Sequence, residues 1–242
     1  MRLKRWVKAV LLSAALAPCA ALVFLQDSFS YPIAGISGHE TDIEEQGREE
    51  NFYSLNDWQT VNPDVCYVLH IDGIMEAQSL PVLSTLNPQD ALDHDLLGRK
   101  DPAGAIFIDR SEQHGENKVI YGHASVSENT RFTFLKQFRD AAYFDAYSRI
   151  ELETASGIEH YRIVSFAAYD LQQRDIYTGW ADSDFEEGGS EKMFQETVPY
   201  LLWKRNGILY DGGGILTLVT CAAGSKDTRY VLQAVRDEIT YG

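Results

Sequence analysis

The chain has 242 residues, 36 acidic and 21 basic, so its formal net charge is −15. Because nucleic-acid binding requires a basic face, this charge argues against a partner with a phosphate backbone. Three cysteines are too few for a disulfide framework.

The N-terminal segment has the pattern of a membrane anchor. Residues 1–8 form a basic flank that precedes the uncharged run 9–25. This run reaches the length of a spanning helix once Trp6 and Val7 are added. The basic flank predicts that the N-terminus stays in the cytoplasm. A cleavable signal peptide is the alternative, because residues 14–21 are rich in small side chains.

The polar and acidic residues 26–52 indicate a spacer between this anchor and a folded domain. The spacer is expected to become helical toward 53–58. The remaining residues, 53–242, suffice for one domain with a sizeable core.

Short strands separated by turns dominate this domain and predict a mainly β fold, a closed or nearly closed barrel. The predicted strands are Val65–Ile71, Ala105–Asp109, Lys118–Tyr121, Ile150–Thr154, Glu159–Tyr169, Ile215–Cys221 and Tyr230–Val235. Two helices are predicted, a short amphipathic one over Arg131–Phe138 and a second over Glu191–Trp203 that Pro199 perturbs.

Three residues with catalytic chemistry are predicted at strand ends. Cys221 ends its strand, His123 follows the strand that Gly122 terminates, and Arg229 precedes another strand. A thiol is a strong nucleophile only as thiolate, so it needs a nearby base or cation. His123 and Arg229 could supply both.

The other cysteines are interpreted differently. Cys19 falls within the apolar N-terminal run and is expected to be an ordinary membrane residue. Cys66 lies inside an apolar strand, which favours a buried free thiol over a disulfide with Cys221.

These motifs, in this order, resemble the class B sortases, which are membrane-anchored cysteine transpeptidases of Gram-positive bacteria. The similar stretches cover roughly residues 53 to 236. They are Asn62–Val65, Ile71–Gly73, Ala103–Asp109, Tyr121–His123, Thr217–Cys221 and Arg229.

The resemblance implies an eight-stranded barrel and an acyl transfer in two steps. Cys221 would attack the threonine carbonyl of a C-terminal sorting signal, NPxTx-like or SPxTG-like, and form a thioester. His123 would act as general acid and base, and Arg229 would donate hydrogen bonds to the oxyanion or the signal backbone. The expected location is the outer face of the membrane of a Gram-positive bacterium.

The expected partners are surface proteins that carry the sorting signal and the amine of a peptidoglycan precursor (lipid II). Three alternatives remain open: a pilin polymerase that joins subunits through lysine, a thiol hydrolase, and a catalytically silent, membrane-tethered peptide-binding module. The loops expected to choose the motif lie around Ala77–Thr85 and Tyr169–Gly189.

No cofactor or metal is expected. The acidic run 182–187 faintly resembles a calcium loop but has no glycine at the sixth position, which favours a solvated acidic loop.

Overall fold

The computed structural model describes residues 53–74, 79–124, 131–170, 195, 197–206, 214–221 and 228–240. These residues belong to one compact unit, 36–242. The predicted anchor over 9–25, the spacer over 26–52 and the acidic run 182–187 lie outside the described residues. None of the helices in the described part is long and apolar enough to cross a membrane.

Nine strands make up the described sheet. They are β1 Val65–Ile71, β2 Leu80–Thr85, β3 Phe107–Asp109, β4 Lys118–Gly122, β5 Arg149–Thr154, β6 Gly157–Asp170, β7 Leu201–Lys204, β8 Ile215–Cys221 and β9 Thr228–Thr240. The described helices are α1 Leu55–Val61, α2 Pro88–Ala91, α3 Ala141–Ala146 and two 3₁₀ helices, Thr133–Arg139 and Val198–Tyr200.

The sheet closes on itself as the predicted barrel. Its order is β5-β1-β2-β3-β4-β8-β9-β6-β7, and β6 also pairs with β5. Eight strands therefore form a closed ring, and β7 adds to the edge of β6 beyond β5.

Alternation along the strands sorts apolar side chains into two clusters. Even-numbered residues of β4, β8 and β9 fill the barrel interior, including Ile120, Leu218 and Leu232. Odd-numbered residues of the same strands, including Val219 and Val231, belong to a second cluster on the outer face.

The start of α1 shows why a helix forms there. Ser54 caps it: its hydroxyl accepts from the Asp57 amide, while the Asp57 carboxylate accepts from the Ser54 backbone. This reciprocal capping box satisfies donors that an isolated helix end leaves open. The helix predicted near 53–58 is confirmed.

The short amphipathic helix predicted over Arg131–Phe138 is confirmed as a 3₁₀ helix, Thr133–Arg139. Two other predictions for individual elements were wrong in detail. The end of the predicted helix Glu191–Trp203 is strand β7, and residues 191–194 lie outside the described part. Residues 80–85, expected within a selectivity loop, form β2, which pairs with β1 despite Pro81.

Candidate active site

The strand directions gather the predicted site residues at one end of the barrel. β4 and β8 are parallel, β9 is antiparallel to β8, and β6 is antiparallel to β9. The chain therefore leaves β4, β6 and β8 at the end of the barrel where β9 begins.

The register places His123, Cys221 and Arg229 together at this end. Gly122 is level with Thr220 on the parallel neighbour, so His123 and Cys221 are the next residues along the two strands. Cys221 is directly opposite Arg229. Opposite residues of an antiparallel pair have Cα atoms about 4.5–5.5 Å apart. The structure thus brings the three predicted positions onto three neighbouring strands.

Apolar side chains pack on the outer face of the strands that carry these positions. Cys221 and Arg229 continue the odd-numbered series of β8 and β9, whose members Val219 and Val231 are buried in the outer cluster. Tyr121 of β4 belongs to the same cluster and stacks on Phe107, with ring centroids 5.5 Å apart. A layer of packed apolar side chains therefore lies next to the strand ends that carry the predicted site residues.

His123 is half-buried and held in one orientation by a backbone carbonyl. Its Nε2 lies 2.8 Å from the carbonyl oxygen of Leu92, in the segment that follows α2. A carbonyl can only accept, so Nε2 carries the proton and donates. In the neutral ring, Nδ1 is then the nitrogen that can accept a proton.

Gly122 lets the chain pass closely over a buried aromatic ring. A Cβ at this position would lie 2.9 Å from the ring of Phe132, which is fully buried. The Phe132 amide in turn donates to the His123 carbonyl at 2.9 Å. The absence of a side chain at 122 therefore allows the packing that fixes the backbone of His123.

Arg229 is half-buried at the start of β9. Its Nη1 donates to the Thr228 carbonyl at 3.1 Å. On the other side of β9, Arg229 is opposite Tyr169 of β6, which is fully buried and packs on Tyr200 with ring centroids 4.2 Å apart. The Arg229 side chain therefore extends from a strand whose neighbour is well packed.

Cys66 has the environment of an inert thiol. It is buried and free, and its Sγ–H donates to the Val82 carbonyl at 3.5 Å. Burial raises the pKa of this thiol to about 12. The predicted buried free thiol is confirmed, and Cys66 is not a candidate nucleophile.

Within the described residues, no group of three or more His, Cys, Asp or Glu side chains is arranged to hold a metal ion.

The sequence does not predict the contact between His123 and the Leu92 carbonyl. Every residue type offers a backbone carbonyl, so no sequence signal could have identified it.

Comparisons with known proteins identify the fold. No protein-family model matches the chain, and no curated protein matches it. Solved structures do match. Clostridium perfringens sortase B is 24% identical with a TM-score of 0.63, and the match covers 76% of this chain and 100% of that one.

Two further class B sortases have the same fold. The Staphylococcus aureus sortase B–substrate complex is 22% identical, with a TM-score of 0.65 and coverage of 77% of this chain and 85% of that chain. A Streptococcus pyogenes class B sortase involved in pilus biogenesis is 18% identical, with a TM-score of 0.63. The match covers 75% of this chain and 97% of that chain. The chain has the class B sortase fold, which confirms the resemblance found in the sequence at the level of structure.

Proposed function

We propose that this protein is a class B-type sortase, a cysteine transpeptidase that cleaves a C-terminal sorting signal and transfers the protein to an amine. The observation that carries the proposal is the register that places Cys221 opposite Arg229 and next to the strand that leads to His123. A nucleophile, an acid–base group and a cation at one sheet end are what acyl transfer requires.

In the first step, the Cys221 thiolate attacks the carbonyl carbon of the signal's threonine and forms a tetrahedral intermediate. His123, protonated on both ring nitrogens, gives the Nδ1 proton to the leaving amine, since Nε2 donates to Leu92. The C–N bond breaks, and a thioester forms as the downstream peptide departs. A positioned acid or base of this kind contributes ~10²–10⁴-fold to the rate.

In the second step, the acceptor amine attacks the thioester. The neutral His123 takes a proton from this amine at Nδ1, and the Cys221 thiolate is released as the new amide forms. Arg229 donates hydrogen bonds to the oxyanion of either tetrahedral intermediate or to the signal's backbone. Loss of such a donor costs ~10²–10³-fold.

The proposal extends to the location of the enzyme. The basic flank and the apolar run 9–25 would anchor the chain in the membrane of a Gram-positive bacterium. The domain from residue 53 onward would then meet exported proteins at the extracellular face.

Two acceptors are candidates. The preferred one is the peptidoglycan-precursor amine of lipid II, which would anchor a surface protein to the cell wall. The fold shared with a class B sortase involved in pilus biogenesis favours a pilin lysine as the second candidate.

The test uses the full-length chain in detergent, a library of quenched sorting-signal peptides and an amine acceptor, with products identified by mass spectrometry. We expect cleavage after threonine and an amine-linked product. Cys221→Ala should abolish both, whereas the matched variant Cys66→Ala should retain them, because the Cys66 thiol is buried.

The products also separate the alternatives. Cleavage without an amine-linked product indicates a thiol hydrolase, and no cleavage by the folded protein contradicts an enzymatic function. In cells, a covalent protein ladder that disappears with Cys221→Ala would replace wall anchoring with pilin polymerisation.

A further inference from the structure

The segment 91–105, which contains the carbonyl that holds His123, folds back on itself as a hairpin-like loop. Three backbone hydrogen bonds cross it, each 2.8 Å long: Ala105 N to Ala91 O, Asp101 N to Asp93 O, and Asp95 N to Arg99 O. Residues 91–93 therefore form one arm of the loop, and residues 101–105 form the other.

The two arms are held by different side chains. His123 donates to Leu92 on the first arm. Arg131 binds the second arm. Its Nε donates to the Gly104 carbonyl at 2.6 Å, and its Nη2 lies 3.0 Å from the Asp101 carboxylate. The Arg131 side chain is only 8% exposed.

Arg131 is also linked to the backbone of His123 through the next residue, Phe132. Arg131 has a φ of 40°, which is uncommon for a residue with a side chain. This turn sets the next residue, Phe132, so that its amide donates to the His123 carbonyl at 2.9 Å. A strained conformation persists only where surrounding contacts hold it.

Close packing couples the two arms of the loop. Gly104 has a φ of +63°, and a Cβ there would lie 2.6 Å from the Ala91 carbonyl oxygen. The backbones of the arms are thus in direct contact beside Leu92. A shift of Gly104 would displace Ala91 and Leu92, and with them the acceptor of His123.

We propose that Arg131, paired with Asp101, is a positioning residue that fixes the tautomer and orientation of the His123 imidazole through the loop 91–105. Arg131 acts on the reaction through His123 and does not itself contact the substrate. This inference rests on the proposed function for its effect on catalysis, and on the structure alone for its effect on the histidine.

The first test compares kinetics in the full-length chain. Arg131→Met removes the side-chain contacts to Gly104 and Asp101, and Arg131→Lys keeps the charge near Asp101 but lacks the planar fork that reaches two acceptors. We expect kcat for amine-dependent cleavage of the sorting-signal peptide to fall on the order of 10- to 100-fold in Arg131→Met, with KM little changed. Arg131→Lys should recover part of this loss.

The matched control is Arg99→Met in the same loop. The Arg99 side chain is 60% exposed and pairs with Asp95, close to the tip of the loop. Its loss should leave kcat within about twofold of the wild type. Asp101→Asn provides a milder second variant of the proposed pair, should Arg131→Met fail to fold.

The second test is independent of peptide turnover. The ¹⁵N chemical shifts of the imidazole, assigned with His123→Gln, report which ring nitrogen carries the proton. We expect the Nε2–H tautomer to dominate in the wild type and in Arg99→Met, and to lose population in Arg131→Met and Asp101→Asn.

The two tests separate the two ideas. If the wild type cleaves no peptide, the proposed function fails, while the tautomer comparison still decides the role of Arg131. An unchanged tautomer and an unchanged kcat in folded Arg131→Met or Asp101→Asn would overturn the positioning role.

Discussion

Gly122 shows how the packing of one residue determines the placement of a catalytic candidate. It lies directly before His123, and its missing Cβ leaves room for the Phe132 ring. Phe132 belongs to the barrel core and also binds the His123 backbone. The backbone position of His123 therefore depends on the packing of Phe132 against Gly122.

Gly122→Ala should destabilise the protein and impair catalysis. A Cβ 2.9 Å from the Phe132 ring must displace a fully buried side chain, and overpacking of this kind costs about 1–3 kcal/mol. Urea unfolding and peptide cleavage would measure the two effects. For comparison, Gly98→Ala meets nothing within 4 Å, although its φ is +73°, so it should strain only its own turn and leave cleavage intact. An unchanged unfolding midpoint in Gly122→Ala would contradict the packing argument.

The sequence predicts some residues of the candidate site but not the contacts that hold them. Cys221, His123 and Arg229 stand in motifs with reactive side chains, and the register places their positions together as the motifs indicate. The Leu92 carbonyl and the Arg131 contacts depend on the path of the loop 91–105. That path is set by long-range packing, which no local pattern specifies.

β4 carries a buried ion pair at the end of the barrel opposite His123. Lys118 Nζ lies 3.2 Å from a carboxylate oxygen of Glu159 in β6, and the two side chains are 6% and 13% exposed. The Tyr161 hydroxyl donates to the same carboxylate at 2.5 Å. Because β4 and β6 are not neighbours in the sheet, the pair links strands across the barrel interior.

Removing one member of this pair should destabilise the barrel strongly. Lys118→Met leaves the Glu159 carboxylate buried without its cation, a change that typically costs about 3–5 kcal/mol. The double variant Lys118→Met/Glu159→Gln should lose less than the sum of the two single losses, as measured by urea unfolding.

An exposed pair provides the control. Arg162 lies 2.9 Å from Asp237, with side chains 47% and 28% exposed, and Arg162→Met should cost at most about 1 kcal/mol. Additive losses in the double variant at Lys118 and Glu159 would show that the buried groups do not interact.

Elements that are apolar, β-branched runs in the sequence are predicted well, whereas elements that depend on tertiary context are not. β1 and β8 have the predicted bounds, because each is an apolar run in the sequence. β2 contains Pro81, which disfavours a strand prediction, yet it pairs with β1 on one side and β3 on the other. The sequence predicts a helix over the first three residues of β7, because only the pairing with β6 makes this segment a strand.

Closing the barrel places ionisable groups in its core. Tyr161 is fully buried, and burial, followed by the nearby Glu159 carboxylate, raises the pKa of its hydroxyl. Burial raises the pKa of Tyr67 as well, and that of Cys66 to about 12. Burial therefore favours the neutral form of all three groups in the folded core.

The molecule should therefore lose stability in alkaline solution. A thiol or phenol whose pKa is higher in the folded state binds its proton more tightly there, so its contribution is complete below the unfolded pKa and is lost as the pH rises toward the folded one. For Cys66, the pH range over which this contribution is lost runs from about 9 to about 12. We expect the free energy of unfolding in urea to be steady near pH 8 and to fall through this range. Cys66→Ala, although less stable at pH 8 because of its cavity, should show a shallower fall. Parallel curves for wild type and Cys66→Ala would exclude ionisation of this thiol as a cause.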